Sequence, residues 1–347
     1  MNTNRCKLRV AQAIRVCLCV SALLISGCKT LTGGTPEWLV NPKAVYPEKV
    51  YLAAVGAGDT RRAAENAAAA NLSRIFEAHI ESNERLLDQS HENNEEIIRT
   101  VDFTADINIL SSQVLFNVQH AEAWKDDTGR IHAVAYIDRR ETAAIYRDKI
   151  AEQTARIHFL SAHADTAKDL LTKYANLRAA MQHVMENKIL LRQLKVIHPP
   201  SIPEATPDYI ENNIRKSLAD TAKKNRVEIN IEGDDNKRMT AVVEELITRY
   251  GFVVGTPAVL QIEGRISVND TGLQAHDLVF VRYSLFMQIK DAKETVLISI
   301  REQGREAHTS PKEARIRSFR TIESAIQSGG AKRLDSYFDS LTDQTPL

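Results

Sequence analysis

The residue whose chemistry is clearest is Cys28, the last residue of the tetrapeptide Ile25-Ser26-Gly27-Cys28. An aliphatic residue and two small residues before a cysteine match the bacterial lipobox, whose thiol accepts a diacylglycerol before the chain is cut. We therefore predict cleavage between Gly27 and Cys28 and N-acylation of the new amino terminus. Two or three acyl chains hold a protein firmly on a bilayer, whereas one chain anchors it only marginally. Apart from this covalent lipid, we expect no cofactor.

The residues before Cys28 have the layout of a signal peptide, which we place at residues 1–27. Its apolar run, residues 16–25, is about half of the roughly 20 residues needed to cross a bilayer. All four cysteines, at positions 6, 17, 19 and 28, lie in this leader or at the acceptor site. We therefore expect neither a disulfide nor a cysteine nucleophile in the mature chain. The apolar run follows four basic residues, Arg5, Lys7, Arg9 and Arg15.

The residue after the acceptor cysteine is Lys29 and not aspartate, which favours the outer membrane under the sorting rule of enteric bacteria. The chain has 45 basic and 45 acidic residues, and because the leader holds four of the basic ones, 41 remain in the mature chain. Tight binding to a nucleic acid backbone needs a concentrated basic patch. The sequence after Cys28 contains no Lys and Arg cluster with interleaved aromatic residues, so we do not expect a nucleic acid partner.

Other residue patterns that could support chemistry are incomplete. Gly56-Ala57-Gly58 follows a predicted strand, but a dinucleotide fingerprint requires a third glycine at position 61, which is Arg61. We interpret the glycines as a structural turn. His158, His163 and Asp165 are spaced so that they point away from one another on a helix, and no HExxH or GxSxG motif occurs. The sequence therefore predicts no catalytic, cofactor-binding or metal-binding residues.

For the first part of the mature chain, the sequence predicts a lipidated tether at residues 28–49 and an α+β domain at residues 50–139. Glycines and prolines interrupt the tether, so we expect no helix there. The domain begins with a strand at residues 50–55 and continues, after the glycines, into a helix capped by Asp59 or Thr60. Alternating patterns predict strands at residues 103–109, 114–118 and 131–137. The helix has an apolar stripe of Ala64, Ala68, Leu72, Ile75 and Phe76, and a boundary histidine, His79.

The second part of the chain begins with a helical segment at residues 140–197. Leu170, Leu177, Val184 and Leu191 repeat every seven residues over about three heptads, which favours a helix packed in a hairpin over an intermolecular coiled coil. Ser161 or Asp165 would cap the second helix.

A Pro-rich linker at residues 198–207 leads to a second α+β domain at residues 208–347. We predict a helix at 208–225, a strand at 227–231, a helix at 237–250, three strands and a helix from Pro311. The clearest strand alternates at Val279, Val281, Tyr283, Leu285, Met287 and Ile289.

Several motifs of the first domain occur together in a known order. These are Pro36-Glu37-Trp38, the run from Tyr51 to Gly58, the alanines at 63, 67 and 70, and the run from Ala133 to Arg139. In this respect the domain resembles the LPP-twenty lipoprotein family. The resemblance implies an envelope lipoprotein without known catalysis, whose domain type also occurs in flagellar-ring and other envelope-assembly proteins. It supplies no catalytic residues.

The sequence thus predicts an α+β fold of two small α+β domains joined by long helices and a Pro-rich linker. We expect a non-catalytic interaction or assembly factor that binds the membrane through its lipid and contacts other envelope proteins, facing the periplasm or located at the outer membrane. Two alternatives remain open: a surface-exposed adhesin or antigen, and an envelope hydrolase with a dispersed site.

Overall fold

The computed structural model describes residues 34–88, 115–234 and 236–342. Within these ranges the fold is α+β with two separate sheets, which confirms the predicted fold class. The signal peptide, the lipobox and the strand predicted at residues 103–109 lie outside the described residues. In the part of the chain that is described, no helix is both long and apolar enough to cross a membrane.

The segment predicted as the end of a tether contains two short helices, α1 (Glu37–Val40) and α2 (Pro42–Val45). The expectation that prolines prevent helix here was wrong. Pro42 occupies the first turn of α2, where its missing N–H would have had no partner within the helix. Trp38 of α1 is buried, so the folded part of the chain begins before position 50.

The first sheet has three antiparallel strands, β1 (Tyr51–Gly58), β2 (Gln119–Lys125) and β3 (Ile131–Asp138), in the order β1-β3-β2. Residues 115–118, predicted as strand, instead form a turn in which Asn117 has a φ of 60°. Asparagine tolerates this left-handed conformation better than most residues. Its side chain donates to the hydroxyl of Thr142.

Helix α3 (Arg61–Asp88) packs on this sheet. Thr60 caps it, since its hydroxyl accepts from the amide of Ala63 at 3.2 Å. Ile75 and His79 are exposed. A helix of 28 residues is about 42 Å long, which exceeds the roughly 27 Å spanned by a strand of eight residues. The stripe residues that are buried are Ala64, Ala68, Leu72 and Phe76.

Two long helices, α4 (Arg139–Thr166) and α5 (Leu170–Ile197), pack against each other as the predicted hairpin. The cap of α5 is Asp169, whose carboxylate accepts from the amide of Thr172 at 2.8 Å. Ser161 and Asp165, the predicted caps, lie inside α4, because α4 continues to Thr166 before the chain turns.

The hairpin contributes to two hydrophobic cores. At one end, Tyr146, Ile150, Leu194 and Ile197 pack with α3 and the first sheet. At the other end, the buried side chains pack with the second sheet and its helices; they include Ile157, Leu160, Leu171, Tyr174, Leu177, Met181 and Val184. The long helices are therefore parts of both cores and not a separate connection.

The predicted Pro-rich linker is also packed. Residues Pro199–Ser201 form a 3-10 turn, and Ile202–Ala205 form a short helix, α6. Ala205 is buried in the first core, and Glu204 forms an ion pair with Arg147 of α4. The prolines fix the path of the chain along the hairpin, because Pro restricts its own φ and the conformation of the residue before it.

The second sheet has the order β5-β4-β6-β7-β8. Strand β4 is parallel to β5 and β6, and the pairs β6–β7 and β7–β8 are antiparallel. The predicted strands and helices are present, and two unpredicted elements, β5 and the last helix, are added. The strands are β4 (Arg226–Glu232), β5 (Val253–Val254), β6 (Leu260–Ala275), β7 (Leu278–Asp291) and β8 (Val296–His308), and the helices are α7 (Glu211–Lys224), α8 (Arg238–Arg249), α9 (Pro311–Ser324) and α10 (Ala331–Ser340).

Only one face of this sheet is covered by the described helices. Val281, Tyr283, Leu285, Met287 and Ile289 of β7 are buried on the covered face, as their alternation predicted. They belong to the same core cluster as apolar residues of α8, α9 and α10. The other face carries the even-numbered residues of β7 and no described helix packs on it, an arrangement that antiparallel sheets commonly adopt.

Candidate functional site

The one site predicted from sequence, Cys28 with its lipobox Ile25, Ser26 and Gly27, lies outside the described residues. The structure therefore bears on the other candidate motifs and on surfaces formed by residues that are distant along the chain.

The glycines of the Gly56-Ala57-Gly58 motif lie inside β1, where we had predicted a turn after the strand. Both face α3 at close range. A methyl carbon on Gly56 would lie 2.0 Å from the amide nitrogen of Ala68, and one on Gly58 would lie 2.8 Å from that of Ala64. The glycines and small alanines thus let the helix backbone approach the strand closely, which is a packing role and not a phosphate-binding one.

The end of the family-like run, Asp138 and Arg139, also has a structural role. The carboxylate of Asp138 caps α4 by accepting from the amides of Arg140 and Glu141 at 2.8 and 3.0 Å. The guanidinium of Arg139 donates to the carbonyl oxygens of four residues. These are Glu48, Tyr51, Val196 and Ile197, at 2.8, 3.3, 2.8 and 2.8 Å.

The histidines considered as ligands do not converge. His158 pairs with Asp208 at 2.7 Å, whereas the ring of His163 stacks on Phe159 and bonds to its carbonyl oxygen. Asp165 lies 3.8 Å from Lys173. In the described ranges, no three His, Cys, Asp or Glu side chains are grouped as metal ligands.

Two shallow cavities contain carboxylates. A cavity of about 370 Å³ between the hairpin turn and the β7–β8 turn is lined by Asp169 and Asp291. Both carboxylates accept hydrogen bonds from backbone amides. Asp169 accepts from the amide of Thr172, and Asp291 accepts from the amides of Lys293 and Thr295, each at 2.8 Å. These hydrogen bonds, that of Thr295 above all, hold the pKa of Asp291 below its usual value. A carboxylate in this state is poorly suited to donate a proton.

The second cavity, of about 360 Å³, lies between α4 and residues 204–208. Its acidic residues, Glu204 and Asp208, pair with Arg147 and His158. In neither cavity are two unengaged carboxylates placed together, as an acid and base pair for hydrolysis would require.

The uncovered face of the second sheet forms the most distinctive surface. We call Arg265, Arg282, Arg301, Arg305 and Phe286 together the arginine face. Phe286 of β7 lies opposite Arg265 on one neighbouring strand and Arg301 on the other. The guanidinium carbon of Arg301 is 5.1 Å from the centroid of the Phe286 ring, which is a cation–π geometry. All four arginines are exposed.

Two arginines of this face lie directly opposite each other. Arg282 of β7 pairs in register with Arg305 of β8. Like charges at such positions destabilise a sheet, and neither guanidinium has an ion-pair partner among the described residues. Arg265, in contrast, is paired with Glu232 at 2.6 Å. The face therefore carries net positive charge around Arg282 and Arg305, although residues 28–347 contain more acidic than basic side chains.

This cluster was not predicted from the sequence because its members lie on three different strands. Within β8, each arginine is followed by a glutamate, in Arg301-Glu302 and Arg305-Glu306, so the sequence shows no local excess of positive charge. Successive residues of a strand point to opposite faces, so both arginines share the uncovered face. Glu306 lies on the other face and accepts from the hydroxyl of Thr321 of α9. The cluster could have been found by combining this alternation with the strand register.

Comparison with known proteins adds a family for the first domain. The model of the LPP20 lipoprotein family matches residues 36–138. No curated protein matches this chain. Among solved structures, the secreted protein HP1454 from Helicobacter pylori is 15% identical, with 84% of this chain and 98% of that chain covered and a TM-score of 0.42. A minor lipoprotein from Acinetobacter baumannii is 8% identical, with 32% and 92% covered and a TM-score of 0.25.

The matched segment begins next to the buried Trp38 and ends at the helix cap Asp138, so it contains the whole first sheet and α3. The LPP20 lipoprotein family model thus matches the first domain, which confirms the family resemblance that its motifs predicted.

Proposed function

We propose that this chain is a lipid-anchored lipoprotein of the bacterial outer membrane that acts as a non-catalytic interaction or assembly factor. The observation that carries the proposal is the lipobox at residues 25–28, which lies at the end of a signal peptide and shortly before an LPP20 lipoprotein domain. The anchor would concentrate the protein on a membrane surface. The folded parts of the chain around both cores could then present binding surfaces.

Two further observations support an interaction role. The carboxylates that line the two cavities are engaged by backbone amides or basic side chains. The arginine face, in contrast, is an extended surface whose exposed aromatic and arginine residues are of the types that dominate binding interfaces. A protein that works by contact needs such a surface and does not need a reactive group.

The anchor is tested by Cys28→Ala in the full chain, expressed with radioactive palmitate. The variant should remain an uncleaved precursor without label, because it lacks the acceptor thiol. Cys19→Ala is the matched control, since it removes a cysteine of the leader and should leave labelling and processing intact. Normal labelling of Cys28→Ala would contradict the anchor.

The membrane is tested by Lys29→Asp in an enteric host, followed by separation of inner and outer membranes by density. The original chain should fractionate with the outer membrane, and the variant should move toward the inner membrane.

The interaction role is tested by cross-linking the lipidated protein in its own membrane. A stoichiometric protein partner supports that role, whereas cell-wall hydrolysis by the purified lipoprotein would contradict it.

A further inference from the structure

We propose that the arginine face docks onto the phosphate headgroups of anionic phospholipids in the membrane that holds the lipid anchor. The proposal rests on the anchor proposed above, which places a bilayer within reach, but the docking surface is formed by other residues and is tested separately.

The arginine face carries positive charge that no neighbouring side chain among the described residues compensates. Arg282 and Arg305 lie opposite each other on adjacent strands, which brings their Cβ atoms to about 5 Å of one another. Two neighbouring guanidinium groups can bind one phosphate through several charge-assisted hydrogen bonds. An anionic ligand would therefore relieve a repulsion that no described residue relieves.

The acidic residues of this face do not lie beside the Arg282 and Arg305 pair. Glu232 pairs with Arg265, and Glu263 pairs with Lys290 at 2.5 Å. In the register of the sheet, the position opposite Arg282 on β6 is occupied by the neutral Asn269. A third acidic residue of this face, Glu228, lies opposite Gln261, which in turn lies opposite Lys290. It is therefore far along the sheet from the Arg282 and Arg305 pair, which stays available to an external anion.

The same face of the sheet also carries apolar side chains. Leu278, Phe280 and Phe286 share it with Arg282, because even-numbered residues of β7 alternate onto this side. Leu278 and Phe286 are 38% and 37% exposed. Aromatic rings, leucines and basic side chains together are typical of surfaces that lie in the headgroup region of a bilayer.

The shape of the surface selects among phosphate-bearing ligands. The face is an open sheet, and its arginines line neither of the two cavities described above. A strand of 14 residues extends about 48 Å, so the surface offers an extended plane and not a pocket. A plane with spaced cations matches a layer of headgroups better than a single small phosphate compound.

The test uses the absence of other thiols in the mature chain. Because Cys28 is consumed by the anchor, Ser299→Cys gives a single reactive cysteine on the exposed outer side of β8, next to the arginine face. Ser217→Cys places the same label on an exposed position of α7 and is the matched control. Each lipidated variant is labelled with nitrobenzoxadiazole and reconstituted into vesicles of phosphatidylcholine alone or mixed with phosphatidylglycerol.

We expect the emission of the Ser299→Cys label to shift to shorter wavelength and rise in intensity only with phosphatidylglycerol, while the Ser217→Cys label stays unchanged. At about 1 M salt, where the Debye length is roughly 3 Å, the change should disappear. It should also be lost when Arg282→Gln and Arg305→Gln are combined. Both arginines are exposed, so this double variant should keep its fold, as circular dichroism will verify.

Equal emission in both lipids, or an unchanged response of the double variant, would overturn the proposal. So would an equal response to polyglutamate or to inorganic phosphate in neutral vesicles, because the face would then recognise an acidic polypeptide or a soluble phosphate. Protein that is not retained by neutral vesicles contradicts the anchor. Protein that is retained but gives no response to phosphatidylglycerol contradicts only the docking surface.

Discussion

Arg139 donates from Nη1 to the carbonyl oxygen of Ile197 at 2.8 Å, so the first residue of α4 closes the last turn of α5. The final carbonyl groups of a helix lack partners within the helix and carry partial negative charge. The same guanidinium donates to the carbonyl oxygen of Glu48, before β1. One side chain therefore joins both ends of the hairpin to the start of the first sheet.

We predict that Arg139→Gln lowers the free energy of unfolding by about 1.5–3 kcal/mol, the range for hydrogen bonds to charged groups. The shorter glutamine side chain cannot reach both the carbonyl groups beside β1 and those at the end of α5. The carbonyl groups of Val196 and Ile197 would therefore lose their donor. Urea unfolding of the mature lipoprotein in detergent, followed by circular dichroism, measures the effect. Arg140→Gln, at the exposed neighbouring position, is the control. A loss equal to that of the control would show that the Arg139 contacts contribute little.

We predict that Gly56→Ala destabilises the first domain by about 3 kcal/mol, at the upper end of the cost of overpacking a core. The added methyl group would lie 2.0 Å from the amide nitrogen of Ala68, so α3 must move away from β1. The midpoint of thermal unfolding measures the loss. Gly329→Ala is the control, because no atom lies within 4 Å of its added methyl group. A midpoint for Gly56→Ala as high as that of the control would contradict the close approach.

The sequence predicted those elements whose secondary structure and buried face follow from one periodic pattern of apolar residues. The alternation from Val279 to Ile289 predicted β7 and its buried face because only a strand places every second residue together. The arginine face could not be predicted in the same way. Arg282 and Arg305 are 23 positions apart, and their proximity depends on the pairing register of β7 with β8, which local pattern does not specify.

The helix boundaries of the hairpin show a second limit. Ser161, Asp165 and Asp169 all have side chains suited to capping, and no glycine or proline marks the end of α4. The choice of Asp169 depends on where the buried positions of both helices meet the second core. The role of the Gly56-Ala57-Gly58 motif was mistaken for a related reason: a glycine required by an approaching helix and a glycine required by a turn look alike in sequence.

We predict that Asp126 titrates well below the ordinary aspartate pKa of about 3.9. Its carboxylate accepts from the hydroxyl of Thr128 at 2.6 Å and from His132 at 2.9 Å, and from the amides of Thr128 and Arg130. These hydrogen bonds favour the charged form and lower the pKa. Carbon-detected NMR titration of the carboxyl group measures it.

The sign of the stability effect follows from this lowered pKa. Asp126 contributes stability above the pKa of the unfolded chain, and the contribution is lost as the pH falls through the lower pKa of the folded protein. Asp126→Asn should therefore destabilise the protein more at neutral pH than in acid. Asp127→Asn removes the same charge from the exposed neighbouring position and is the control. If the two variants lose stability equally at every pH, the hydrogen bonds of Asp126 do not lower its pKa.

We predict that Arg305→Gln stabilises the protein in the absence of membranes, by about 0.2–1 kcal/mol, because it removes the like charge opposite Arg282. Arg265→Gln is the matched control on the same face. It should be neutral or slightly destabilising, since Arg265 has Glu232 as its partner and exposed ion pairs contribute about 0–1 kcal/mol. Urea unfolding at low ionic strength measures both variants, and the gain of Arg305→Gln should shrink as salt screens the pair. A gain that does not depend on salt, or one shared by Arg265→Gln, would mean that repulsion between Arg282 and Arg305 is not its cause.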